Sequence, residues 1–113
     1  MAAFGFLNSF LGMFQQSGQG GTPKIEYQQN GGSGYVYYQS AESAFKLYFE
    51  FSGGNCVASI NIPTTETWEK TTGLPLERRE ETLQFIGKQV VKDQTTDGRG
   101  YFKIEGNWLH IYA

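Results

Sequence analysis

The sequence of 113 residues holds one histidine, His110, and one cysteine, Cys56, so the side chains most used for acid–base, nucleophilic and metal chemistry are scarce. General acid or base work at His110 needs a carboxylate or a nucleophile beside it, and zinc needs three or four converging ligands. Strand alternation is expected to send Cys56 into the core and His110 to the opposite side. Cys56 then reads as a small buried thiol, and His110 as a strand-surface residue partnered by Lys103. Carboxylates offer the remaining enzymatic route. Glu77 and Glu81 are four apart, and Glu66 and Glu69 three apart, spacings that place each pair on one helical face where a small hydrolase would want them. Acidic residues at the start of a helix are also what the helix dipole favours. Gly18-Gln19-Gly20-Gly21 leads into no helix that opens with Lys-Ser or Lys-Thr, and Asp97-Gly98-Arg99-Gly100 leads into a strand, so neither is a phosphate cradle. The residues assign no catalytic, cofactor-binding or metal position.

The elements that position these residues are bounded by length and charge. A chain this long supports one domain with a modest core, and two would each be too small to bury enough apolar surface. Nine Lys and Arg stand against eleven Asp and Glu, a net charge of −2, without the basic stripe a nucleic-acid binder requires. The first 23 residues carry no charged side chain, which is unlike a secretory or transit leader. The apolar stretch from Phe4 to Phe14 is about half the length of a membrane span. With a single cysteine, a reducing compartment, the cytoplasm, is the expected setting.

The fold expected is α+β: one antiparallel sheet of about six strands, a long helix packed on one face, and a short N-terminal amphipathic helix, in the order α-β-β-β-β-α-α-β-β. Residues 1–16 read as that amphipathic helix. Phe6, Phe10 and Phe14 fall within its apolar arc, and its two glycines make it a poor helix former unless it lies against something apolar. Residues 17–23 are a Gly-rich tether, and residues 24–113 form the α+β domain.

Strands are expected over Lys24 to Gln29, Tyr35 to Gln39, Ala44 to Ser52 and Asn55 to Ile62. A loose loop, Asn30 to Gly34, joins the first two. A two-residue turn at Gly53-Gly54 would set Phe51 opposite Cys56, Phe49 opposite Ala58, Leu47 opposite Ile60 and Phe45 opposite Ile62, all apolar pairs on one face. Pro63 ends the ladder, Thr64 caps a short helical turn through Trp68, and Gly73 closes it. Pro75 opens the longer helix, whose core stripe is Leu76, Leu83, Ile86 and Val90. Gly87 beside that stripe suggests a close approach of helix to sheet. A last hairpin, Tyr101 to Glu105 and Trp108 to Tyr112, turns at Gly106-Asn107 and pairs Phe102 with Ile111 and Ile104 with Leu109.

Two surfaces stand out for contact. The face of the sheet away from the long helix carries Tyr48, Tyr101, Trp108 and Tyr112, with His110 among them. Phe85 projects from the long helix on its charged side, where the N-terminal helix or another subunit would cover it. Together with the N-terminal phenylalanines these are the interaction candidates, and they point to a non-catalytic protein-binding module, a small homodimeric adaptor or chaperone-like protein. The aromatic face has only Lys46 and Lys103 nearby, so nucleic acid is not an expected partner. A second reading is a peripheral membrane protein docked by its first helix, which without Lys or Arg gains nothing from anionic lipid. A third is a small carboxylate-dependent hydrolase built on Glu77 and Glu81. The element order resembles that of the small acidic secretion chaperones in topology alone, without their C-terminal helix.

Overall fold

The computed structural model describes residues 22–113, so the expected helix at 1–16 and most of the tether at 17–23 lie outside the described residues. Six strands form one antiparallel sheet: β1 Lys24–Asn30, β2 Ser33–Gln39, β3 Ala44–Phe51, β4 Cys56–Asn61, β5 Tyr101–Glu105 and β6 Trp108–Tyr112, in the order β1-β2-β3-β4-β6-β5. Between β4 and β5 run a short helix α1, Trp68–Thr72, and a long helix α2, Arg79–Gln94, which a single 3₁₀ turn at Leu76–Arg78 introduces. The α+β architecture read from the sequence is the one present.

Period-2 alternation sorts the strands into two faces. Val36 and Tyr38 of β2, Phe45, Leu47 and Phe49 of β3, Ala58 and Ile60 of β4, and Leu109 and Ile111 of β6 point to one side. There they meet Leu83, Ile86, Val90 and Val91 of α2 in one continuous core. Tyr38 stacks on Phe45 with ring centroids 4.8 Å apart, and the fully buried Trp68 meets Phe45 edge-on, anchoring α1. The indole N–H of Trp68 donates to the Pro75 carbonyl at 3.1 Å, so its polar edge is satisfied inside the core. Gly87 is where α2 comes closest to the sheet. A Cβ there would lie 2.7 Å from the Phe102 ring, which explains a glycine in mid-helix despite its propensity cost.

Four expectations are corrected. First, the β3–β4 register is displaced by two residues: Phe51 faces Ala58, Glu50 faces Ser59 and Phe49 faces Ile60. The amide of Cys56 donates to the Gly53 carbonyl at 3.1 Å, with Gly54 at φ 63°, so the connection is a four-residue turn rather than a two-residue one. The tight two-residue turn is instead at Gly31-Gly32, in place of the expected loose loop, since Asn30 faces Ser33. Second, Leu76 lies in the 3₁₀ turn and is 42% exposed, so it is outside the core stripe, and Leu74 is buried in its neighbourhood instead. Third, Thr64 bonds the amide and hydroxyl of Thr67 in the turn before α1 rather than capping the helix, which starts at Trp68 without a side-chain cap. Fourth, Cys56 does not point to the core: a bulge in β4 at Val57 turns it to the opposite face.

The seam between β3 and β4 is irregular at its other end as well. β3 extends back to Ala44, yet its pairing with β4 stops at Phe49–Ile60. From there the two strands part.

Candidate functional site

The face of the sheet turned away from α2 is the candidate site, and each of its side chains is set there by strand parity. On β6 and β5 the residues opposed across the ladder are Tyr112 and Tyr101, His110 and Lys103, and Trp108 and Glu105. The rings of Tyr101 and Tyr112 stack at 4.9 Å, His110 and Tyr112 meet at 6.3 Å, and Trp108 and His110 lie near-parallel at 6.5 Å. Four rings thus run in a row along the β6–β5 edge. Across the sheet a second aromatic group contains Tyr35, with Tyr37 at 6.3 Å and Tyr48 at 6.1 Å, and the Lys46 ammonium sits 4.3 Å over the Tyr35 ring. Tyr48 is 41% and Tyr101 52% exposed, while Tyr35, Trp108, His110 and Tyr112 are half-buried. The Tyr112 hydroxyl is held above its ordinary titration range by partial burial first, then by Cys56, Glu105 and Tyr101 nearby.

The structure therefore brings Tyr48, Tyr101, Trp108, His110 and Tyr112 to one face. Phe85 is elsewhere: it lies on the core side, half-buried, with its ring edge-on to Tyr38 at 6.1 Å rather than on a wet face of α2. Phe6, Phe10 and Phe14 lie outside the described residues. Tyr35 and Tyr37 belong to the face without having been singled out by the sequence. Their two-residue spacing, out of phase with the core residues Val36 and Tyr38, is the signal that would have placed them.

At the centre of this face the residues gather around His110. Its Nδ1 lies 2.8 Å from the Ser59 hydroxyl and its Nε2 3.7 Å from a Glu105 carboxylate oxygen, and Cys56 Sγ stands 3.7 Å from the same hydroxyl. Hydroxyl, imidazole and carboxylate in series is the arrangement of a nucleophile, its base and an orienting acid. The surroundings do not complete it. Ser59 sits between Glu50 and His110 in the middle of a continuous ladder, where its backbone groups belong to the sheet and supply no oxyanion donors. The series instead pins the His110 ring beside Trp108. Lys103, the expected partner of His110, faces it across the ladder without taking either ring nitrogen.

The carboxylate pairs have visible occupations. Glu81 accepts from Arg78 Nε at 2.7 Å, Arg78 also reaches Glu42 at 2.9 Å, and Glu69 accepts the Leu76 amide at 3.1 Å. Glu77 and Glu66 are exposed. Among the described residues no three His, Cys, Asp or Glu side chains are grouped to hold a metal ion, and no helix is long and apolar enough to cross a membrane.

Where β3 and β4 part, a cleft of about 340 Å³ opens beside this face. Lys46, Tyr48, Asn61, Thr64, Thr67, Thr71 and Asn107 supply its polar lining, over a floor that includes Leu47 and Ile62.

Comparison with protein-family models, with curated proteins and with solved structures finds no match for this chain, so its function rests on the geometry of this face and cleft.

Proposed function

We propose that this protein is a non-catalytic protein-binding module that self-associates through the aromatic face of its sheet. The observation that carries the proposal is the row of Tyr101, Tyr112, His110 and Trp108, with Tyr48 and Tyr35 across the sheet, of which Tyr48 and Tyr101 are the most exposed. Half-exposed tyrosine and tryptophan are the side chains that give most binding energy for the least ordering cost. Charge on the same face is balanced: Lys24, Lys46 and Lys103 lie among Glu26, Glu50 and Glu105. A neutral face with both signs interspersed can meet its own copy across a two-fold axis, since each patch finds its complement on the other subunit. The single unpaired cysteine supports a reducing, cytoplasmic setting for such a module.

The test is the solution mass of the full chain and of a variant with Tyr48→Glu and Tyr101→Glu, both at exposed positions where folding should survive. A mass near twice that of the chain, falling to the monomer value in the variant, supports the reading. A monomeric full chain over the micromolar range sinks it.

A further inference from the structure

The face turned away from α2 is not uniformly bare. Tyr101 on β5 is 52% and Tyr48 on β3 41% exposed, yet on β2 Tyr37 is 7% and Gln39 4% exposed. Tyr37 and Gln39 alternate with the core residues Val36 and Tyr38, so strand parity sends them to this same face. Their ladder neighbours do not account for the burial. Lys24 and Ala44, opposite Gln39 on β1 and β3, are themselves exposed, and Tyr37 stands between the half-buried Glu26 and the exposed Lys46. α2 and Trp68 of α1 pack on the opposite face.

The amide of Gln39 also has no hydrogen-bond partner among the described residues. Water or a polar cover would bond it, whereas a hydrocarbon cover excludes water and bonds nothing. The chain carries such a cover close by. Lys24, the first residue of β1, pairs with Gln39, so the chain that precedes β1 leaves the sheet beside the buried pair. Those first 23 residues have no charged side chain, and Phe4, Phe6, Phe10 and Phe14 are concentrated within residues 4–14. Residues 15–23 span up to about 30 Å when extended, and Gly18, Gly20 and Gly21 allow the chain to reverse. As the helix its apolar spacing predicts, the segment 4–14 would be about 16 Å long, against about 13 Å from Tyr35 to Gln39 along β2. On the other face the place beside β1 is taken, because the Tyr27 hydroxyl is held by Asp93 of α2.

We propose that residues 4–14 dock on the β1–β2 half of this face of their own sheet, with their phenylalanines over Tyr37 and Gln39. The docked segment leaves the row of Tyr101, Tyr112, His110 and Trp108 open, so the proposal does not rest on self-association.

The experiment attaches a nitroxide at Ser9→Cys in the ¹⁵N-labelled full chain, with Cys56→Ser to remove the native thiol, and reads amide broadening. A second sample mixes nitroxide-bearing protein without ¹⁵N and ¹⁵N-labelled protein without the nitroxide. The expected result is broadening centred on Tyr37, Gln39 and Lys46 in the first sample and none at those residues in the second. Replacing all three by Phe6→Ser, Phe10→Ser and Phe14→Ser should abolish that localised broadening and shift the Tyr37 and Gln39 amides, while the amides of α2 and β6 keep their positions. Broadening spread evenly over the surface, or centred on α2 or on the Tyr101 and Tyr112 edge, would overturn the proposal. So would localised broadening that survives the triple substitution, or broadening at Tyr37 in the mixed sample, which would make the occupant the segment of a second copy.

Discussion

Tyr27 shows how one hydroxyl can tie the edge of a sheet to the end of a helix. Its ring is buried and its O–H donates to an Asp93 carboxylate oxygen at 2.6 Å, while Gln89 bonds the other oxygen at 2.9 Å. A hydrogen bond to a charged acceptor contributes about 1.5–3 kcal/mol, and Tyr27→Phe should cost stability on that scale in urea unfolding. Burial first, and then the Asp93 hydrogen bond and charge, hold the Tyr27 pKa far above its ordinary value. Above roughly pH 10 the unfolded chain therefore releases a proton that the folded chain retains. The contribution is whole below that pH and falls as pH rises toward the folded value, with a slope of about 1.4 kcal/mol per pH unit that Tyr27→Phe should remove. Unchanged alkaline dependence in the variant would count against this account. Gln39 makes the opposite case: it is 4% exposed and neither side-chain amide atom has a hydrogen-bond partner among the described residues. Gln39→Met should raise stability by about 1–2 kcal/mol, because an unsatisfied buried amide costs that much and methionine fills a similar volume. A less stable variant in the same urea titration would mean that the amide has a partner in solution.

At the scale of elements, α2 and β5 are fitted to each other through Gly87 and Phe102. Adding a methyl at Gly87 should gain about 1 kcal/mol of helix propensity, but the Phe102 ring stands 2.7 Å from where that Cβ would lie. Overpacking typically costs about 1–3 kcal/mol, so Gly87→Ala should destabilise the protein in its native background and become neutral or stabilising when combined with Phe102→Ala. Additive effects in that double-mutant cycle would show that the contact does not govern the choice of glycine. This close approach was legible in the sequence, as were all six strands and the complete β5–β6 register, because turn chemistry and hydrophobic alternation agree there. The β3–β4 register was not. A shift of two residues leaves every side chain on its face, so Phe49 opposite Ala58 and Phe49 opposite Ile60 are equally apolar, and only the geometry of the Gly53 turn decides between them. Cys56 escaped for a related reason: the bulge at Val57 breaks the alternation that would have sent it inward, and its sequence carries no mark of that break. The Ser59–His110–Glu105 series joins residues far apart in the chain and could emerge only after β4 was known to pair with β6.

The whole molecule is two three-stranded halves, β1-β2-β3 and β4-β6-β5, joined in the sheet by three residue pairs and covered by one core. The sequence contains two tryptophans, and each reports on a different half: Trp68 rests against Phe45 of β3, and Trp108 lies on β6. Because α2 packs against strands of both halves, single-tryptophan variants made by Trp68→Phe and Trp108→Phe should show coincident urea midpoints by fluorescence and circular dichroism within each variant. Midpoints that separate between the two probes would mean that the halves unfold independently along the seam. The strand order has a further consequence for how the chain is made. β4 is bordered on its far side by β6, yet more than forty residues are translated between them. Until Trp108 to Tyr112 have left the ribosome, the nascent chain holds a four-strand meander whose last strand offers a bare apolar edge to any neighbouring chain. The bulge at Val57 lies on that edge, and the twist it imposes shortens the run of backbone that a stranger could pair with while synthesis finishes.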